Sequence, residues 1–123
     1  MMKNKKTPGL YVHVPFCVRK CNYCDFLSFP SGCVEDSPRR MDYIGLLGEE
    51  LKLHKTRQTG GWKESFDTIF IGGGTPSVLS ERELDALFEK IAEYTGTLPA
   101  DTEYTMECNP GTVTPGKLNR MRQ

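Results

Sequence analysis

Three short apolar runs, each cut off by proline or glycine, alternate with three stretches of helical character, and that order leaves few folds open. Leu10–Val14 stops at Pro15, Thr68–Ile71 stops at Gly72, and Thr102–Cys108 stops at Asn109-Pro110-Gly111. Each reads as a strand. Between the first two, Arg39–Thr56 repeats Ile44, Leu47 and Leu51 at helical spacing, although Gly45 and Gly48 weaken the pattern. After the second run, Ser80 and Glu83 make a Ser-x-x-Glu capping box, and Leu84, Leu87, Phe88 and Ile91 follow as one apolar stripe. Thr114 and Pro115 suit the cap and first turn of a third helix. The order β-α-β-α-β-α predicts an α/β fold with parallel strands and helical crossovers. Such folds bind ligands just beyond the C-terminal ends of their strands. The segments that stand there carry the least ordinary residues of the chain.

The first of these segments, Phe16–Ser37, holds four of the five cysteines and is broken by Pro30 and Gly32, with Pro38 just after it. A connection that long inside a compact domain is usually functional. Cys17, Cys21 and Cys24 are spaced C-x3-C-x2-C; Cys33 and Cys108 stand apart. An odd number of cysteines argues against a closed disulfide framework, and a tight cluster suits metal or redox chemistry. Three thiolates on one loop can hold three corners of a cubic [4Fe–4S] cluster and leave the fourth iron open, whereas ferredoxin-like carriers use four cysteines. Zinc is the alternative. It usually takes C-x2-C pairs, so Cys33 or His13 would have to complete the site. Unliganded thiols are the third reading. Cys33 reads as a loop thiol, Cys108 as a small core residue of the third strand, and His13 as a structural strand histidine.

Charge and hydropathy narrow the partners. Sixteen Lys and Arg balance 16 Asp and Glu, so there is no strong electrostatic case for nucleic acid or an acidic membrane surface. No apolar run approaches the roughly 18 residues of a membrane span, and the basic start, Met1 to Lys6, is not followed by a secretory core. A cytoplasmic location is expected. Residues 1–9 are expected to be a flexible terminus and 10–123 one folded unit.

Three ordered motifs resemble one known family. They are Tyr11-Val-His13-Val-Pro15-Phe16-Cys17 leading into Cys21-Asn-Tyr23-Cys24, then Ile71-Gly72-Gly73-Gly74-Thr75-Pro76-Ser77, then Glu107-Cys108-Asn109-Pro110. Together they are similar to radical S-adenosylmethionine (SAM) proteins of the oxygen-independent coproporphyrinogen III oxidase-like family, whose members include haem chaperones. The resemblance implies that Cys17, Cys21 and Cys24 bind a [4Fe–4S] cluster and that SAM chelates its open iron. Reductive cleavage of SAM would then give a 5′-deoxyadenosyl radical, with the protein positioning the cofactors and excluding water and oxygen. It also implies SAM contacts for Tyr11, Tyr23, Gly73, Gly74, Thr75 and Glu107. Read from the residues alone, Tyr11 suits a core or barrel-lining position and Tyr23 a packing aromatic. The glycine run suits a tight turn, and Glu107 a surface charge at a strand end.

Cys24-Asp25-Phe26 departs from the Cys-Gly-Cys of the oxidases, and the chain starts nine residues before its first strand, where the oxidases have a longer arm. Both departures favour the haem-chaperone branch. They imply haem or porphyrin as a further ligand, with a haem-acceptor protein and an electron donor as partners. Oxidative decarboxylation of coproporphyrinogen III is the alternative activity, and a non-enzymatic zinc or iron–sulfur binding module the alternative class. The family's core is a partial, TIM-like barrel of about six βα units. The resemblance therefore implies the first three units of that barrel, truncated in the third helix, and an N-terminal piece of a longer protein. Such a piece alone is expected to show little turnover.

Overall fold

The computed structural model of the protein describes residues 8–17, 29–30, 37–57 and 66–122. Among these described residues, five strands and three helices follow in the order β1 (Gly9–Val14), β2 (Phe16–Cys17), β3 (Phe29–Pro30), α1 (Pro38–Arg57), β4 (Thr68–Gly73), α2 (Glu81–Thr95), β5 (Glu103–Met106) and α3 (Pro115–Arg122). Single 3-10 turns at Pro76–Val78 and Pro110–Thr112 precede α2 and α3. The expected parallel α/β order is present: β1, β4 and β5 form one sheet in that order, every pair parallel.

Side chains alternate across the sheet, and the two faces differ. Val12, Val14, Ile69 and Ile71 are buried among Ile44 of α1 and Leu84, Leu87 and Ile91 of α2. Burying each of these aliphatic side chains contributes roughly 1.5–3 kcal/mol, which is what holds the helices to the sheet. The other face carries Tyr11 opposite Phe70, and Phe70 opposite Thr105, with His13 opposite Gly72 in the next row. Tyr11 is 57% exposed and Phe70 39%. Tyr11 therefore lines the open face and is not a core residue.

Helix α2 begins as its sequence predicts. The Ser80 hydroxyl accepts from the Glu83 amide, and the Glu83 carboxylate accepts from the Ser80 amide. Helix α1 begins one residue earlier than expected, because Pro38 opens it. Proline suits a first helical position, where its missing N–H has no partner to lose. The Ser37 carbonyl accepts from Met41 N, and its hydroxyl accepts from Arg40 N at 3.4 Å.

Other expectations need correction. Phe16–Ser37 is not wholly irregular: Phe16 and Cys17 pair in parallel with Phe29 and Pro30. Strand β4 runs on through Gly72 and Gly73, because those residues still face β1 partners. Strand β5 ends at Met106, so Cys108 lies beyond it and is exposed rather than a core residue. Cys21, Tyr23, Cys24 and Cys33 lie outside the described residues.

Candidate functional site

The C-terminal ends of β1 and β4 are sewn together past the last strand residues. Gly74 N donates to the Val14 carbonyl at 2.9 Å, and Thr75 N donates to the Phe16 carbonyl at 2.6 Å. These bonds draw the glycine turn over β2, where Cys17 is buried. A Cβ at Gly74 would stand 2.6 Å from the Phe16 carbonyl oxygen and 2.7 Å from Cys17 Sγ. Only bare backbone fits there, so the thiol lies directly against the turn. The amides of Gly74 and Thr75 are committed to the protein. The turn thus offers a ligand close approach rather than these two donors.

The preceding glycines face the other way. Gly73 has φ +120, a conformation that glycine takes at no steric cost. A Cβ on it would meet the Val14 carbonyl at 2.7 Å and the His13 ring at 2.9 Å. A Cβ on Gly72 would meet Glu107 Oε1 at 2.5 Å, Phe70 at 2.7 Å and Tyr11 at 3.2 Å. The Glu107 carboxylate therefore lies over bare backbone at Gly72, beside two aromatic rings. Tyr11 stacks on Phe70 with ring centroids 6.0 Å apart and 20° between planes, and its hydroxyl shares a 3.0 Å hydrogen bond with His13 Nδ1.

Helix and turn residues brace this arrangement from behind. The Tyr43 hydroxyl of α1 donates to the His13 carbonyl, and its ring meets Phe16 edge-on at 5.4 Å. Burial first, then the charges of Glu50 and Tyr11, push the Tyr43 phenol above its ordinary pKa, which keeps it a donor. The Glu107 amide donates to the Ile71 carbonyl at 3.0 Å, extending the β4–β5 ladder by one residue. Beyond it, the fully buried Ser77 ties the third turn to the second. Its Oγ accepts from Asn109 N at 2.9 Å and bonds the Thr112 hydroxyl. Lys117 Nζ donates to the Ser77 and Thr112 carbonyls, each at 2.8 Å.

Cys17, Tyr11, Gly73, Gly74, Thr75 and Glu107 are thus gathered around one edge of the open face. Cys108 points away from a ligand role: its Sγ donates to the Met106 carbonyl at 3.7 Å, and desolvation raises its thiol pKa. A raised pKa lowers the thiolate fraction that metals bind. The sequence gives Phe70 no role, reads His13 as a structural strand histidine, and has Ser77 only as the last residue of the glycine-run motif. Strand alternation could have placed His13, two residues from Tyr11, and Phe70, two residues before Gly72, on one face. Nothing local marks the bracing role of Ser77, because its partners Asn109 and Thr112 come from the third βα turn.

Among the described residues no group of three His, Cys, Asp or Glu is placed to hold a metal ion, and Cys17 is the one member of the cysteine triplet they include. Cys17 brings one soft sulfur donor against Gly74, and Glu107 brings a carboxylate acceptor against Gly72. Residues 11–123 match the family model described as the Radical SAM superfamily. The heme chaperone HemW of Escherichia coli is 41% identical over 105 residues, covering 85% of this chain and 26% of that protein. The mitochondrial radical S-adenosyl methionine domain-containing protein 1 of Bos taurus is 33% identical over 110 residues, covering 89% of this chain and 23% of that protein. A solved structure described as coproporphyrinogen III oxidase (HemN) from Escherichia coli, a radical SAM enzyme, superposes with a TM-score of 0.71 at 26% identity. That match covers 94% of this chain and 25% of the other. The chain spans about a quarter of the length of the relatives it matches.

Proposed function

Because the chain belongs to the radical SAM superfamily, we propose that it forms the cluster- and SAM-binding part of a radical SAM protein of the haem-chaperone type. The observation that carries this reading is the glycine run, which has Cys17 Sγ against Gly74 and the Glu107 carboxylate against Gly72. In this reading Cys17, Cys21 and Cys24 hold a [4Fe–4S] cluster. When bound, the cluster supplies the electron for reductive cleavage of SAM. Gly73 and Gly74 let SAM approach the backbone, Thr75 closes the turn beside it, and Glu107 accepts hydrogen bonds from its amino or ribose groups. Tyr11 and Tyr23 pack against it. His13 holds the Tyr11 hydroxyl at 3.0 Å and so limits how that ring can turn.

The haem-chaperone branch is favoured by relatives of that name and by Asp25-Phe26 after the third cysteine. Haem, a haem-acceptor protein and an electron donor are the proposed partners, and the cytoplasm the proposed place of work. Among the described residues no helix is long and apolar enough to cross a membrane. Coproporphyrinogen III oxidation is the second reading, favoured by the likeness to the solved HemN structure. The two separate in one anaerobic experiment with reconstituted protein. The chaperone reading expects haem to bind and to pass to an apo-acceptor, with no carbon dioxide released from coproporphyrinogen III. Decarboxylation would shift the assignment to the oxidase. Stoichiometric zinc without acid-labile sulfide would end both.

The place given to Glu107 has its own test. Glu107→Ala should weaken SAM binding by about tenfold, the scale of one hydrogen bond to a charged group. Gly72→Ala should do the same, because its methyl would displace the carboxylate. Both changes remove the Glu107 interaction, while Gly72→Ala also crowds Phe70 and Tyr11, so the double variant should lose less than the sum of the two single losses. Titrations of SAM into the reduced protein would show this, and fully additive losses would mean that Gly72 does not act through Glu107.

A further inference from the structure

The backbone on either side of Glu107 decides where its carboxylate lies. Among the described residues no hydrogen bond or ion pair holds the carboxylate itself, which rests over bare backbone at Gly72. The turn that carries it is anchored just before and just after. The Glu107 amide donates to the Ile71 carbonyl at 3.0 Å, and the Asn109 amide donates to Ser77 Oγ at 2.9 Å. The first anchor continues the β4–β5 ladder. The second is a side chain from the 3-10 turn Pro76–Val78, which directly follows Gly74 and Thr75.

Ser77 is itself fixed from two sides. Its hydroxyl is fully buried and works as acceptor and donor at once. The bonds close a ring: Asn109 N–H to Ser77 Oγ, the Ser77 hydroxyl to Thr112 Oγ1, and the Thr112 hydroxyl back to the Asn109 carbonyl at 2.8 Å. Lys117 of α3 locks the ring, because its ammonium donates at 2.8 Å to the carbonyls of both Ser77 and Thr112. Charge-assisted bonds of this kind are stronger than neutral ones. Stability alone does not account for the ring. Asn109 is exposed and Thr112 only half-buried, so water can replace much of what their bonds contribute. What water cannot replace is the fixed spacing between the glycine turn and the turn that bears Glu107.

We propose, resting on the radical SAM reading above, that Ser77 and Lys117 are positioning residues that hold Glu107 where its carboxylate meets the amino or ribose groups of SAM. Both act through Glu107 and neither touches the ligand. The chain of contact is short and continuous: Lys117 to Ser77, Ser77 to Asn109, and Asn109 by two residues of backbone to Glu107.

The test is a pair of double-mutant cycles on anaerobically reconstituted protein. Ser77→Ala removes the hydroxyl, and Lys117→Met removes the ammonium while keeping an unbranched apolar stem. Each is expected to melt within a few degrees of the parent and to carry the parent's iron. SAM affinity, read from the response of the reduced cluster, should fall about fivefold in each, the scale of one lost hydrogen bond. In a Glu107→Ala background the same two changes should cost nothing further, since the group they position is gone. A merely structural role would lower affinity equally in both backgrounds, and that result overturns the proposal, as does parent-like affinity in the two single variants. If Ser77→Ala does not fold, Lys117→Met decides by the same cycle. A parent protein with no SAM response would instead defeat the radical SAM reading. Positioning is then judged on metal-free protein by amide hydrogen exchange. Faster exchange at Glu107 and Asn109 in Lys117→Met, with Ile69–Ile71 of β4 unchanged, supports it. Parent-like exchange at Glu107, or a loss of protection that extends through β4, overturns it.

Discussion

Replacing Cys17, Cys21 or Cys24 with alanine is expected to drop bound iron from about four per chain to near zero, while Cys33→Ala and Cys108→Ala leave it unchanged. Three thiolates are few for a cluster, so the loss of one leaves two, and neither remaining cysteine belongs to the triplet's spacing. Cys108 is exposed beyond β5, its thiol turned to the Met106 carbonyl and its pKa raised by desolvation. Cys33 lies nine positions after Cys24, outside the triplet spacing. Cys17 by contrast is buried against the glycine turn, so its removal also takes a packing atom from Gly74. Iron and acid-labile sulfide analysis, with the visible charge-transfer band, reads the outcome directly. Full iron in Cys17→Ala would sink the ligand assignment.

Gly74→Val should abolish the response of the reduced cluster to SAM and cut cluster loading by at least half. The obstacles to a side chain there are rigid. The Phe16 carbonyl, 2.6 Å from the would-be Cβ, is backbone already bonded to Thr75 N, and the next neighbour, at 2.7 Å, is Cys17 Sγ itself. Neither can step aside without opening the junction of β2 and the glycine turn, so a bulky residue must displace the ligand thiol or unseat the turn. Gly45→Ala is the matched control. Nothing lies within 4 Å of its would-be Cβ on α1, and replacing a mid-helix glycine there should stabilise the protein by roughly 0.5–1 kcal/mol. Iron content and the SAM-induced spectral shift, compared across the two variants, separate a local obstruction from a general intolerance of substituted glycines. A Gly74→Val protein that behaves like Gly45→Ala would remove the turn from the site.

Much of the fold is legible from residue order because its causes are local. The Ser80–Glu83 box starts α2 where the sequence places it, and the stripe of Leu84, Leu87 and Ile91 is buried as its spacing implies. The strand ends are less legible. Gly72 and Gly73 look like a stop signal, yet β1 lies alongside and pairs with both. Cys108 looks like a strand residue, yet Asn109 N must reach Ser77 Oγ, and the chain leaves the sheet before it. Pro38 reads as a breaker until the direction of the helix is known, since only at a first turn does a missing N–H go unnoticed.

The sequence by itself determined the alternation of strands and helices and the spacing of the cysteine triplet, and its resemblance to a known family nominated Tyr11, the glycine run and Glu107 as site candidates. All of these rest on spacing along the chain or on short motifs. Only the tertiary structure decided that Cys17 lies on Gly74, that Glu107 lies on Gly72, and that His13 steadies Tyr11. It also decided that Arg40 and Glu83, 43 residues apart, meet with no exposure to solvent. The physical reason is one of range. Periodicity, capping and turn chemistry act within a few residues, whereas these contacts arise between turns after different strands. Parallel pairing and the packing of α1 against α2 bring those turns to one end of the sheet.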